Sequence, residues 1–189
     1  MKVALLSKYS RLGASSRLRS LQYIPNLEQL GFKVTTYSLF DDDYLQRLYS
    51  GEERTLASVA KRYFGRARAL RRLNHVDLLW IEKEALPYVP YWLEHSLMPS
   101  GVPYVVDYDD AVFHNYDLSN SWLVRKFLSC KIDKVMSSAA TVICGNDYLA
   151  ERSRNAGAIR IEQITTVVDP TRYSATDTSF AGEAGLPVI

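Results

Sequence analysis

An apolar run, YVV, stops at three aspartates within four positions, Asp107, Asp109 and Asp110, with His114 just beyond. Like charges so close repel one another, so the cluster implies a partner that offsets them. Carboxylates placed this way can take the proton of an attacking hydroxyl or bind several hydroxyls of a sugar. Histidine is the side-chain type suited to proton transfer near neutral pH, which adds His114 to the candidates. Asp109, Asp110 and His114 are therefore the catalytic candidates, and Asp107, still within the apolar run, is a substrate-binding one. The plainer alternative is that one or two aspartates cap the following loop and pair with Arg17 or Arg19.

A second candidate segment is SKYSRLGASSRLR, residues 7–19, which follows an apolar run and leads into a helical pattern. A helix N-terminus offers free amides and a positive dipole end to phosphate or carboxylate. Gly13 lets the backbone approach a ligand, Arg17 adds a cation, and Ser15 or Ser16 can cap the helix. The bland alternative is a tight turn with a solvated arginine. GxGxxG and GxxxxGK[ST] are both absent, which argues against a nicotinamide-dinucleotide site and a P-loop NTPase. Asp107-Tyr108-Asp109 is formally a DxD, but two carboxylates do not identify a metal site, and no metal is expected. Glu84, after a third apolar run, is either a substrate contact or a structural partner of Lys83 or a nearby arginine. Asn146 is a substrate-binding candidate that N-capping of the next helix would equally explain. His75 and His95 carry no assigned role.

The elements that hold these residues follow from hydrophobic pattern. Strands are predicted over 2–7, 33–39, 77–82, 104–107, 141–144 and 162–168, several without polar alternation, as parallel strands covered on both faces require. Helices are predicted over 16–30, 43–49, 53–73, 91–98, 121–138 and 147–155. Gly31 and Gly157 stand where helix ends favour a left-handed residue, and Pro25 should kink the first helix. The β-α alternation predicts an α/β fold, a doubly wound, Rossmann-like parallel sheet. In such sheets ligands bind at the carboxyl ends of the strands, where both candidate segments fall.

The chain has 189 residues, 47% hydrophobic, enough for one full core, and a net charge of +2, which gives no reason to expect a nucleic-acid partner. Cys130 and Cys144 stand alone, which argues against a zinc site or disulfide framework and fits a reducing compartment. No signal-peptide core opens the chain and no apolar run approaches the roughly 20 residues of a membrane span. A cytoplasmic protein is expected, peripheral at most at the inner face of a membrane. Residues 61–72, KRYFGRARALRR, hold six cations in twelve. On a helix, Leu56, Val59, Ala60, Tyr63, Ala67, Leu70 and Leu73 form an apolar arc, leaving Lys61, Arg62, Arg66, Arg68 and Arg72 opposite. That face is either simply solvated or attached to an anionic membrane surface. After Pro170 a polar stretch reads as a linker, and residues 185–189, GLPVI, as the start of another strand. The expected division is one domain over 1–170, then 171–189 as linker and first strand of a missing C-terminal domain.

In their order along the chain, KVALLSKYSRLGASSRLRSLQYIPNLEQLGFKV, DLLWIEKEALPY, VVDYDDAVFHNYD, ICGNDYLAERSRNAGA and ITTVVDPTRY resemble the N-terminal domain of a family 4 glycosyltransferase. That family is retaining and has the GT-B fold of two Rossmann-like domains. The resemblance implies transfer of a sugar from a nucleotide diphosphate sugar to a saccharide or lipid-linked acceptor, without cofactor or essential metal. It places Gly13, Ala14, Ser15 and Arg17 near the donor diphosphate and residues 107–114 along the acceptor site. It also matches Asp169 to an aspartate common before the crossing to the donor-binding domain, whereas Thr166-Val167 stands where Asn-Gly is common. The two glutamates eight positions apart that mark the family's donor domain have no counterpart in this sequence. The chain alone is therefore expected to be inactive. The rival readings are a non-catalytic binding module, half of a split enzyme working with a second chain, or a receiver-like domain. Receiver acids, however, follow strands 1 and 3.

Overall fold

Residues 3–6 are buried without alternation, because the strand that carries them is covered on both faces. The computed structural model describes residues 1–51 and 55–168. The strands are β1 (Lys2–Tyr9), β2 (Lys33–Phe40), β3 (Leu78–Glu82), β4 (Tyr104–Tyr108), β5 (Thr141–Cys144) and β6 (Ile161–Gln163). They form one parallel sheet in the order β2-β1-β3-β4-β5-β6. The fold is thus the expected α/β, Rossmann-like one, with its strand order reversing direction between β1 and β3. That switch point is where open α/β sheets form a crevice at the carboxyl ends.

The helices are α1 (Ala14–Arg19), α2 (Ile24–Gln29), α3 (Asp42–Tyr49), α4 (Leu56–Leu70), α5 (Tyr91–Leu97), α6 (His114–Asp117), α7 (Trp122–Leu128), α8 (Lys131–Ser138) and α9 (Asp147–Asn155). Asp41, Thr55 and Asn146 cap α3, α4 and α9 with their side chains. The main core lies between the sheet and the crossover helices, around Leu70, Ile81, Tyr108, Phe113, Ile132 and Met136.

Several expected elements change. The helix expected over 16–30 is three pieces, because the chain leaves helical geometry at Ser20 and turns through a 3-10 segment, Leu21–Tyr23. Pro25 consequently helps to start α2, where its missing N–H costs nothing, instead of kinking a longer helix. Gly31 and Gly157 end α2 and α9 with φ of 85° and 84°, as anticipated. The helix expected over 121–138 breaks at Ser129 and Cys130 into α7 and α8. Strand β6 ends early: after the Ile164 amide bonds Cys144, the carbonyls of Ile164 and Val167 turn to Arg19 and Gln22. Asp169 and the expected linker and strand over 171–189 lie outside the described residues, as does Glu53.

The basic helix also needs correction. Arg66 does not face solvent: it is buried and donates to the carbonyls of Ser7, Tyr37 and Ala85. Arg62 pairs with Asp41 and lies over the Tyr44 ring, while Leu56 and Phe64 are exposed. Buried carbonyls need donors, and a guanidinium serves three at once; this rotates the helix away from the purely apolar arc. Burial still lowers the pKa of Arg66, to about 10.

Candidate functional site

The loop after β3 begins with Lys83, a non-glycine residue at φ 65°. Its amide donates to the Asp107 carbonyl at 2.9 Å, and the turn aims its buried side chain across the ends of β3 and β4. Nζ of Lys83 lies 2.9 Å from Asp109 Oδ1 and 2.6 Å from Asp110 Oδ2. Ser15, in the first turn of α1, donates to the other Asp109 oxygen at 2.7 Å. Four residues from helix α1 and two loops thus meet at the carboxyl rim: Ser15, Lys83, Asp109 and Asp110.

A deeper layer supports them. Arg19 donates to Asp107 Oδ1 from Nε at 2.9 Å and Nη2 at 2.7 Å. Ser16 donates to Glu82 at 3.0 Å and accepts from the Tyr9 amide at 3.1 Å. Neither serine therefore caps α1; the N-cap is Gly13. Glycine at that position is required by space, since a Cβ there would stand 2.3 Å from Cβ of Tyr9.

Electrostatics divide the acids. Burial opposes the charge of Asp109, but Lys83 and Ser15 outweigh it and hold its pKa below the usual value. Burial lowers and the two aspartates raise the pKa of Lys83, with a net rise. Asp107 is pushed up to about 6 by burial, which Arg19 opposes without cancelling. Burial likewise raises Glu82, against the hydrogen bond from Ser16. Asp109 Oδ1 meets Lys83 as an ion pair and has no aligned hydrogen-bond donor. Asp110 is largely exposed. The rim thus presents carboxylate acceptors, one ammonium donor and a hydroxyl side by side.

The other expected residues lie elsewhere. Ala14 is exposed at the start of α1, and Arg17 donates to the Arg11 carbonyl. Arg17 lines a groove of about 770 Å³ with Ser10, Arg11, Gln22, Ser38 and Asp42, beside the cluster but sharing none of its residues. Glu84 accepts from the Tyr116 hydroxyl at 2.7 Å and pairs with Lys131 at 2.5 Å. Asn146 accepts from the Leu149 amide, as a cap does. Both ring nitrogens of His114 have partners: Asp117 of the same helix at 2.9 Å, and the Tyr148 hydroxyl at 2.8 Å, which ties α6 to α9. Asp107 and Asp109 turn to different cations, so the formal DxD does not converge. Among the described residues no group of three His, Cys, Asp or Glu is placed to hold a metal ion.

Sequence reasoning missed Lys83 as the centre of the cluster and Lys131 altogether. Lys131, fully buried on α8, also meets Glu94 at 3.0 Å and the Leu86 carbonyl at 2.6 Å, fixing the loop after β3. The glutamates of WIEKEALPY were the available signal, since a buried acid needs a cation. Compared with models of known families and with curated proteins, the sequence matches none. No helix among the described residues is long and apolar enough to cross a membrane.

Proposed function

We propose that the chain is the acceptor-side domain of a retaining glycosyltransferase that moves a sugar from a nucleotide diphosphate sugar to a saccharide or lipid-linked acceptor. The observation that supports this most is the group of Ser15, Lys83, Asp109 and Asp110 at the switch point of the sheet. Asp109, held ionised, is a weak base and serves to orient acceptor hydroxyls. Asp110, with the more exposed carboxylate, is the better placed to receive a proton. Donor phosphates would meet the Gly13 turn, Arg17 and residues of a second domain. The internal pairing of all three aspartates favours a second reading, a saccharide-binding module without catalysis.

The protein would work in the cytoplasm, with Lys61, Arg68, Arg71 and Arg72, the cations on the exposed side of α4 and just after it, free to approach an anionic membrane. The test is saturation-transfer NMR of this chain with a panel of oligosaccharides and nucleotide sugars. Saccharide binding is expected, weakened about tenfold by Asp109→Asn, the loss of one charged hydrogen bond of roughly 1.5 kcal/mol. Wild-type binding in both Asp109→Asn and Asp110→Asn, or no saccharide bound at all, would overturn the assignment. Transfer activity in the protein joined to a donor domain, present or absent, separates the enzyme from the module.

A further inference from the structure

Helix α7 turns its largest apolar side chains outward. Trp122, Leu123 and Phe127 are 60%, 50% and 66% exposed, and Leu118 in the preceding turn is 69% exposed. Trp122 and Lys126, and Leu123 and Phe127, are four apart and so stand side by side on one face. Leu128 is buried and Val124 packs against the core, so the helix is held by its other side. Scattered apolar residues on a surface are ordinary, but a contiguous set of this size marks a contact surface.

The charges along residues 118–132 are of one sign. Lys126 Nζ lies 5.6 Å from the Trp122 ring centroid and 5.7 Å from that of Phe127, and Arg125 is exposed beside it. No acid occurs between Asp117 and Asp133, and Arg152 engages both of those. A second copy of the chain is a poor occupant: a two-fold contact would set Lys126 and Arg125 against themselves with no acid to separate them. A bilayer surface meets both features. Its acyl boundary takes Trp122, Leu123 and Phe127, and its anionic headgroups take the two cations at the rim of the ring pair.

We propose that the outward face of α7 docks the protein on an anionic lipid bilayer. The inference rests on α7 alone and needs neither the sugar-transfer assignment nor the basic face of α4. Docking there would bring α6, which packs on α7 and follows the Asp109–Asp110 rim, close to the lipid surface.

The test is sedimentation of the full chain with vesicles of phosphatidylglycerol and phosphatidylcholine in equal parts, and of phosphatidylcholine alone. Binding is expected to the first, with release as salt screens the charges. Phe127→Glu and Lys126→Glu, both at exposed positions, should each lower partitioning by about tenfold while leaving the melting temperature unchanged. Four outcomes would sink the proposal: no binding by the wild type, equal binding to neutral vesicles, wild-type binding in both variants, or loss of binding only on Arg68→Glu and Arg72→Glu in the basic segment. So would a dimer in light scattering that Phe127→Glu disperses, since that assigns the face to a second copy.

Discussion

Replacing Arg19 by methionine should destabilise the protein strongly above neutral pH and only slightly near pH 5. Arg19 is buried and makes two hydrogen bonds to Asp107, one to the Ile164 carbonyl at 2.6 Å and a longer one to Thr166. Methionine keeps much of the volume and removes every one of them. At pH 8 Asp107 is ionised beside Arg19, so the substitution leaves a buried carboxylate that has lost its cation or must take up a proton; with a wild-type value of about 6, the second route limits the cost to roughly 3 kcal/mol. Loss of the Ile164 bond adds roughly 1 kcal/mol. The sum, roughly 4 kcal/mol, corresponds to a fall in melting temperature of roughly 8–16 °C for a domain of this size.

The pH dependence follows from the sign of the Asp107 shift. Its carboxyl is raised from 3.8 to about 6 in the folded chain, so the native state holds a proton that the unfolded chain has already released. Stability of the wild type therefore falls as pH rises through that window, by at most roughly 3 kcal/mol from this group. Removing Arg19 raises the carboxyl further and extends the window upward. At pH 5 the carboxyl is largely protonated in either protein, and the substitution should cost only the roughly 1 kcal/mol of the Ile164 bond. Urea unfolding at pH 5 and pH 8 measures the difference, and hydrogen exchange at residues 165–167 reports release of the C-terminal segment. Equal destabilisation at the two pH values would refute the assignment of Asp107 as the coupled group.

Lys131→Met should lower stability by about 3–5 kcal/mol, because it strands Glu84 and Glu94 without a cation, and adding Glu94→Gln should recover part of the loss in thermal unfolding. Gly13→Ala should cost about 1–3 kcal/mol, since its methyl would collide with Cβ of Tyr9, and Tyr9→Ala, which keeps that atom, should not restore the melting temperature.

The strand periodicity, the glycines ending α2 and α9 and the cap before α9 are local signals, and each was legible in the sequence because a few neighbouring residues suffice to express it. The acidic cluster was legible too, both as a cluster and as the end of a buried strand. What met it was not. Ser15 reaches Asp109 across 94 positions, Arg19 reaches Asp107 across 88, and Lys131 reaches Glu84 across 47. Those pairings are fixed by the strand order, which brings the ends of β1, β3 and β4 together, and no local periodicity contains that order.

The same limit explains α4, whose expected apolar arc is buried at Leu70 and Leu73 but exposed at Leu56. The sequence shows how many cations the helix carries, but only the position of the Ser7, Tyr37 and Ala85 carbonyls turns Arg66 inward. The exposed apolar face of α7 is the opposite case. Only packing shows that the core is already filled without its residues. The sequence by itself determined the α/β alternation and the presence of charged rim residues, because pattern and composition are local. Tertiary structure decided which charge compensates which and which apolar faces stay uncovered, because buried charge pairing and packing depend on distances between segments remote in the chain.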